Sequence, residues 1–206
     1  LRVLEGRMTS TKAALLGAID RIAAAMEREF DALNSADGAL GDGDLGVTMT
    51  RGMRAIMAQR DALPDDIGMG QLQCAQAFTK SSGSSYGTLM ATGLMSAAKT
   101  LKGQTEIDPI AISDLIAGAR DKMQERGKAE LGGKTVLDSL DYLARALADG
   151  GDRSAAASDA VDRALDDFRD KPATVGRARI FGDKSIGLDD PGMLAMRAVV
   201  KAAVAQ

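Results

Sequence analysis

Apolar residues recur along most of this chain every three or four positions, which is the spacing of one face of an α-helix. Runs of β-branched residues are scarce, whereas the good helix formers Ala, Leu, Met, Glu, Arg and Lys dominate. No segment has the character of a convincing strand. The pattern therefore predicts the all-α fold class, as a bundle of about eight antiparallel amphipathic helices.

Eight helices can be placed from this periodicity and from residues that start or stop a helix. Ser10 or Thr11 could cap the first helix, Pro64 ends the second and Ser154 caps the seventh. Pro109 suits the first turn of the fifth. The predicted helices are 9–33, 47–62, 70–80, 86–99, 109–127, 136–148, 154–171 and 192–205.

Four of the connections between these helices are rich in glycine and in groups that can hold anions. In an antiparallel bundle the first, third, fifth and seventh connections lie at the same end. These connections are 33–46, 81–85, 132–135 and 177–191. We therefore expect a composite site at one end of the bundle, built from segments that are far apart in the sequence.

The first of these connections holds three acids, Asp37, Asp42 and Asp44, among glycines that let the backbone come close to a ligand. Ionised carboxylates this close together repel one another, so the folded loop needs a cation or must keep protons. Ligand sets made of oxygen alone suit hard divalent ions such as Mg²⁺. The sequence thus indicates a metal site here, and a solvated acidic turn is the alternative.

Groups that can bind phosphate are predicted at the same end. Ser81, Ser82 and Thr135 offer hydroxyls near helix starts, although helix capping alone would also explain them. Arginine offers a planar fork for phosphate oxygens and lysine a point charge, and each could instead belong to a solvated rim. The candidate cations are Arg126, Lys128, Lys134, Arg177, Arg179 and Lys184.

The composition removes several classes of function. The 206 residues include no histidine, which excludes a Ser-His-Asp triad, an imidazole metal ligand and a phosphohistidine. A net charge of −3 and an aromatic content of 3% argue against a nucleic-acid partner. The single Cys74 cannot form an internal disulfide. Since no apolar run is long enough to span a membrane, we expect a cytoplasmic protein with no membrane partner.

The motifs, taken together and in order, resemble the nucleotide-binding L subunit or L domain of dihydroxyacetone kinases. They begin with D-x₄-D-G-D-L-G at 37–46 and S-G-x-x-Y-G-T at 82–88. They continue with R-G-K-A-E-L-G-G-K-T-V-L-D at 126–138, G-R-A at 176–178 and G-D-K-S-I-G-L-D-D-P-G at 182–192. The resemblance covers most of the chain from about Ile19 onward.

This resemblance implies a barrel of eight antiparallel helices that binds ATP or ADP at one end through two Mg²⁺ ions. It implies that Asp37, Asp42 and Asp44 are the metal ligands, and it places no general base in this chain. The remaining nucleotide contacts that it implies are Gly46, Val47, Thr48, Ser81, Ser82, Gly127, Thr135, Arg177, Asp190, Pro191 and Gly192.

The resemblance also implies a protein partner. In the family the ketose is held covalently by a histidine of a separate K subunit or K domain, and this chain has no histidine. We therefore expect it to present phosphate to a ketose held elsewhere, in a hetero-oligomer or as a homodimer. The phosphate comes either from ATP or from a tightly held ADP that a phosphocarrier protein recharges. The alternative is a non-catalytic regulatory module that binds ADP or ATP and signals to a protein partner.

Some residues depart from the family pattern. Leu45 stands where L subunits often carry histidine, which removes one side-chain contact to phosphate. Gly133 and Val136 replace the Asp and Met of the usual G-D-K-T-M, so we expect altered adenine packing and a freer loop. Lys80 is an additional candidate cation for phosphate. We expect a working but altered site, which leaves open a substrate other than dihydroxyacetone.

The sequence divides into a lead-in at 1–18 and an L-type helical domain at 19–206. A lead-in of this length without an initiator methionine is expected in a fragment of a longer single-chain kinase. It is equally expected in a separate subunit whose start is trimmed or disordered.

Overall fold

A computed structural model of the chain describes residues 10–149 and 151–205, and within these ranges the fold is a barrel of α-helices. The helices are α1 (Lys12–Arg28), α2 (Phe30–Leu40), α3 (Leu45–Met57), α4 (Ile67–Ser81), α5 (Ser85–Thr100), α6 (Ala111–Gly127), α7 (Val136–Ala148), α8 (Arg153–Arg169) and α9 (Pro191–Val204). Two 3₁₀ segments, Arg60–Ala62 and Ala178–Ser185, lie in the connections. The predicted all-α class is confirmed.

The helices close into a ring. From α3 to α9, each helix packs beside the one that follows it, and α9 returns to pack against α1, which itself packs on α3. The second helix, α2, packs against α3 and α9. Because neighbours in the ring are joined by short connections, successive helices run in opposite directions. The connections 41–44, 82–84, 128–135 and 170–190 therefore share one end of the barrel.

The first predicted helix is longer than expected and is interrupted. The helical pattern of 9–33 divides at Glu29, where the backbone has φ −87° and ψ 1°, and α2 then continues to Leu40. Asn34, Ser35 and Gly38 are weak helix formers, which is why the sequence predicted a loop there. Leu33 and Leu40, two turns apart, are both buried, so packing of this face overrides the weak propensity. The acidic loop is consequently only 41–44, and Asp37 lies on a helix.

Two helix caps also differ from the prediction. Asp152, not Ser154, caps α8, and its carboxylate accepts hydrogen bonds from the backbone N–H groups of Ser154 and Ala155. Thr11 occupies the cap position of α1 without a side-chain hydrogen bond. It belongs instead to a two-residue strand, β1 (Ser10–Thr11), which pairs antiparallel with β2 (Glu106–Ile107). This pair lies at the end of the barrel opposite 41–44.

Methionine and small residues fill much of the barrel interior. Met26, Met49 and Met193 are almost fully buried, and the ring of Phe78 on α4 belongs to the same core cluster as Met26 and Met49. Flexible methionine side chains suit the irregular gaps between helices of a closed ring. Gly52 on α3 allows the closest of these contacts, because a Cβ atom at this position would collide with the Phe78 ring.

The predicted division of the chain at residue 18 falls inside α1. Part of the predicted lead-in, residues 1–9, lies outside the described residues, so the division stays a prediction. In the described ranges, none of the helices combines the length and the apolar character needed to cross a membrane.

Two glycine-to-alanine substitutions test the packing of the barrel. We expect Gly52→Ala to lower the free energy of unfolding by about 1–3 kcal/mol, because the added methyl group must displace the Phe78 ring in a filled core. Gly118→Ala in α6 is the control, since the nearest atom to its added methyl is Ser96 Oγ at 3.9 Å. This control should gain up to about 1 kcal/mol from helix propensity. Urea unfolding of both variants measures the difference, and equal effects of the two substitutions would contradict the packing described here.

Candidate metal and phosphate site

A cavity of about 580 Å³ opens at the end of the barrel where the four glycine-rich connections meet. Its lining takes residues from 37–51, 81–89, 135–136, 175–178 and 190–192. These segments come from all four of the predicted loops or from the helix turns beside them. The prediction that these distant segments meet at one end of the barrel is confirmed.

Four helices begin at this cavity. The residues that precede α3, α5, α7 and α9 all line it, and they are Asp44, Ser84, Thr135 and Asp190. The first turn of a helix exposes unpaired N–H groups and the positive end of the helix dipole. The backbone at these helix starts therefore contributes positive charge to the cavity, although two of the four preceding residues, Asp44 and Asp190, are acids.

The three predicted metal ligands lie together at the mouth. One carboxylate oxygen from each of Asp37, Asp42 and Asp44 lies within 4.8 Å of the other two. Asp37 is held in place because its Oδ2 accepts hydrogen bonds from the backbone N–H of Asp44 at 2.9 Å and of Leu45 at 3.2 Å. Gly43, with φ +77°, provides the left-handed turn that folds the loop back over α2.

An arginine from the far side of the sequence balances this charge. Arg177 forms an ion pair with Asp42, and its hydrogen bond lowers the pKa of Asp42. Burial, followed by the charges of Asp42 and Asp37, raises the pKa of Asp44. The cluster therefore keeps an excess of negative charge that a divalent cation would relieve.

Three hydroxyls form a linked group beside the acids. Thr48 on α3 and Ser82 each form a hydrogen bond with Ser84 Oγ, both at 3.1 Å. Ser84 Oγ also accepts from the backbone N–H of Gly87 at 3.0 Å and so caps α5. The hydroxyls of Thr48 and Ser82 are thereby positioned at the starts of two helices.

The start of α7 is fixed by a capping box. Thr135 Oγ1 accepts from the N–H of Leu137 at 3.2 Å, and Asp138 Oδ2 accepts from the N–H of Thr135 at 2.8 Å. The other oxygen of Asp138 accepts from the N–H of Gly132 at 2.5 Å. Burial raises the pKa of Asp138 despite these hydrogen bonds.

An aromatic ring and a glycine form the wall at the start of α9. Tyr86 donates its hydroxyl to the carbonyl of Gly192 at 3.0 Å. A Cβ atom on Gly192 would lie 2.9 Å from the tyrosine ring, so only glycine allows this approach. Asp190 caps α9 by accepting from the N–H of Met193 at 2.8 Å. Burial raises the pKa of Asp190 to about 7, against the opposing effects of this hydrogen bond and of Lys134.

Most of the predicted nucleotide contacts line the cavity, and two do not. Gly46 is buried in the first turn of α3, where a Cβ would collide with the carbonyl of Phe30. Gly127 is exposed at the end of α6. The predicted residues that line the cavity are Asp37, Asp42, Asp44, Val47, Thr48, Ser81, Ser82, Thr135, Arg177, Asp190, Pro191 and Gly192.

The candidate cations are less well placed than the sequence suggested. Of the six candidates from the bundle end, the described structure brings only Arg177 to the cavity lining. Lys80 is likewise absent from the lining. Lys134 is 1% exposed, and its ammonium group is bonded to backbone carbonyls below the loop.

Sequence reasoning missed several lining residues. Ser84, Ser85 and Tyr86 continue the hydroxyl loop into α5, and Arg51 lies one turn beyond Val47 and Thr48 on the same face of α3. Helical spacing could have found Arg51. Val175 could not have been found, because it faces the cavity only through the packing of 170–190.

Comparison with known proteins identifies a matching family. The DAK2 domain profile matches residues 39–205. The chain is 30% identical, over 161 residues, to the PEP-dependent dihydroxyacetone kinase 1, ADP-binding subunit DhaL, of Listeria innocua, and the match covers 78% of this chain and 79% of that subunit. It is 32% identical to the L-erythrulose 1-kinase of Mycolicibacterium smegmatis, over 92% of this chain and 34% of that protein.

A solved structure shares the fold. The dihydroxyacetone kinase from C. freundii, in complex with AMP-PNP and Mg²⁺, superposes with a TM-score of 0.75 and 23% identity. The match covers 98% of this chain and 35% of that one. This chain thus spans most of the Listeria subunit but only about a third of the two longer proteins.

The raised pKa of Asp190 makes a prediction about pH. Between its ordinary value of 3.8 and about 7, the folded state keeps a proton that the unfolded chain releases, so the free energy of unfolding falls as pH rises. The contribution of this one group is at most about 1.4 kcal/mol per pH unit. We expect Asp190→Asn to remove this loss while keeping the cap, because asparagine caps helices about as well as aspartate.

Denaturant unfolding between about pH 5 and pH 7.5 measures this effect, as the variant should gain on the wild type with rising pH. Asp66→Asn is the matched control. Asp66 caps α4 in the same way, but hydrogen bonds led by that from the N–H of Met69 lower its pKa, so it stays ionised across the window. A stability difference for Asp190→Asn that does not change with pH would contradict the prediction.

Proposed function

The chain belongs to the DAK2 domain family, and from this we propose that it is the nucleotide-binding part of a dihydroxyacetone-type kinase. In this proposal it binds ADP or ATP with Mg²⁺ and passes phosphate to a ketose held by a K subunit or K domain. The protein acts in the cytoplasm and is active as a kinase only with that partner.

One observation carries the proposal: the lining of the cavity combines groups of opposite charge. One wall holds three carboxylates with oxygens within 4.8 Å of one another. The other has the N-terminal ends of α5, α7 and α9, which favour anions. A lone cation or a lone anion would satisfy one wall and be repelled by part of the other. A magnesium–polyphosphate complex carries both charges and satisfies both walls.

The acidic wall suits magnesium. Its donors are all oxygen, and the pKa of Asp44 is raised by burial and then by the charges of Asp42 and Asp37, which a cation would compensate. Asp37, Asp42 and Asp44 would hold two Mg²⁺ ions, and bound magnesium neutralises charge on phosphate oxygens during phosphoryl transfer. Asp37 keeps its orientation through its two backbone hydrogen bonds, both of which are accepted by Oδ2.

The other groups of the cavity contact different parts of the nucleotide. The hydroxyls of Thr48 and Ser82 and the helix starts bind phosphate oxygens, and Arg177 stands at the boundary between phosphate and metal. Tyr86, Leu89 and Pro191 are the apolar part of the same lining and would contact the base. Leu45 is 4% exposed and packs into the core, so it takes no part in phosphate binding.

The acceptor must come from another protein. The chain has no histidine, and of the carboxylates of its cavity Asp42 pairs with Arg177 and Asp190 caps a helix, while Asp37 and Asp44 belong to the proposed metal site. A ketose hydroxyl is therefore activated by a residue of the K component. Either ATP from solution or a phosphocarrier protein that recharges bound ADP supplies the phosphate.

Calorimetry with ADP tests the nucleotide site. We expect ADP to bind with Mg²⁺ present and much more weakly without it, and Asp44→Asn to weaken binding at least about tenfold. No hydrogen bond of the Asp44 side chain is lost, and relief of repulsion should leave the stability of the fold unchanged or higher. Asp114→Asn, on an exposed site at the other end of the barrel, should bind like the wild type. Equal binding by wild type and Asp44→Asn would sink the metal assignment.

A transfer assay separates the kinase from its alternative. We expect the protein, mixed with a K subunit loaded with dihydroxyacetone or erythrulose, to consume ATP or phosphocarrier-derived phosphate in step with ketose phosphate formed. The same mixture with Asp44→Asn should lose at least about tenfold in rate. Tight Mg²⁺–ADP binding without transfer to any K partner would instead favour a regulatory module that reports nucleotide state to a protein.

A further inference from the structure

Lys134 has an unusual position for a lysine. It is 1% exposed, its backbone is left-handed with φ +61°, and its side chain runs beneath the connection between α8 and α9. The ammonium Nζ donates to three carbonyls: Arg169 at 2.9 Å, Lys171 at 2.9 Å and Ser185 at 2.8 Å. Every proton of the ammonium group therefore has a backbone partner, and none remains for phosphate.

The three carbonyls lie at the two ends of one segment. Arg169 is the last residue of α8, Lys171 lies two residues beyond it, and Ser185 ends the 3₁₀ segment, so residues 172–184 form a loop whose two feet meet on one side chain. This loop carries Val175, Gly176, Arg177 and Ala178 into the cavity. Its position fixes where the Arg177 guanidinium meets Asp42.

Two neighbouring contacts hold the same loop. Gly133 accepts a hydrogen bond from the N–H of Thr174 at 3.2 Å, and a Cβ at 133 would lie only 2.6 Å from Val175 Cγ2. Ser185 Oγ accepts from the N–H of Ala173 at 2.7 Å and donates to the carbonyl of Gly182 at 2.6 Å. Lys134 thus holds the two feet of the loop. Gly133 contacts Thr174 and Val175, the two residues that directly precede Gly176.

Lysine suits this position better than arginine. Three carbonyls converge on one point, and an ammonium group offers three donors around one atom, whereas a guanidinium spreads its donors in a plane. The cation also lies at the C-terminal end of α8, where the helix dipole favours positive charge. These gains oppose the cost of burial, which lowers the pKa of Lys134.

We propose that Lys134 is a positioning residue that sets Arg177 against the acidic cluster by holding both feet of the 172–184 loop. The inference rests on the proposed function, because the value of placing Arg177 lies in its contact with a metal-bound polyphosphate. Lys134 acts through the loop and touches neither metal nor nucleotide.

The test compares Lys134→Met with wild type by two independent measurements. Hydrogen exchange of the nucleotide-free protein should show faster exchange across 172–184, since methionine keeps the apolar stem and removes all three donors. Calorimetry should show Mg²⁺–ADP binding about tenfold weaker. In an Arg177→Ala background, the same substitution should change the affinity less than about twofold, because the two residues act through one contact.

Ser113→Ala is the matched control. Its hydroxyl donates to the buried carbonyl of Ala144 at 2.8 Å, so its loss also removes a donor from a backbone carbonyl, but at a distance from the loop. This variant should lose thermal stability while keeping the wild-type affinity for Mg²⁺–ADP. If Lys134→Met does not fold, Lys134→Arg replaces it, with the same effects on exchange and affinity expected in smaller measure.

The outcomes distinguish this inference from the proposed function. Wild-type protein that binds no Mg²⁺–ADP would overturn the proposed function and the positioning role together. Wild-type binding that Lys134→Met leaves unchanged, or weakens equally with and without Arg177, would overturn the positioning role alone. Weaker binding only in the presence of Arg177, with faster exchange across 172–184, supports the proposal.

Discussion

Mutual repulsion among Asp37, Asp42 and Asp44 is the constraint around which this end of the barrel is organised. Three carboxylates with oxygens within 4.8 Å of one another can stay ionised only beside positive charge. The fold supplies that charge from Arg177, which is 135 positions after Asp42 in the sequence and reaches it because the 3₁₀ segment Ala178–Ser185 packs against α2. The acidic cluster is therefore tolerated through the tertiary packing of the barrel.

The Arg177–Asp42 pair is also exposed, with more than half of each side chain open to solvent. Exposed ion pairs are weak and are screened by salt, so this contact balances charge without locking the loop. The firm connections lie deeper, at Lys134 and Ser185, where the carbonyls and the ammonium group are shielded from water. The loop thus has a fixed base and an adjustable tip, which is the arrangement expected of a group that exchanges one charged partner for another.

Local chemistry determined which features the sequence could predict. The bounds of α7 were predicted correctly because Thr135 and Asp138 form a capping box that depends on residues three apart. The extension of α2 to Leu40 could not be predicted, since burial of Leu33 and Leu40 overrides a run of weak helix formers. The sequence shows the three acids as a cluster, but Asp37 lies on a helix and not in the loop because α2 extends to Leu40.

The position of Lys134 could not be predicted from the sequence either. It was a candidate for binding phosphate because it is positively charged and follows Gly132 and Gly133. The residues around it in the sequence give no sign that its side chain is buried. The left-handed backbone at 132 and 134 turns the side chain away from the cavity. A departure that predicted a freer loop, Gly133 in place of aspartate, instead permits close packing against Val175. The burial of Lys134 and the packing of Gly133 depend on residues 169–185, which are distant from them in the sequence.

The strand pair β1–β2 has a consequence for architecture. It lies at the end of the barrel opposite the cavity, so the polypeptide enters α1 there, and α9 also runs from the cavity toward that end. With 17 residues in α1 and 11 in α2, the two helices together span about 40 Å. A segment that continues from β1 or from the end of α9 starts at the end of the barrel away from the cavity, so a fused domain needs a linker longer than this span to reach the cavity, whereas a separate protein needs none.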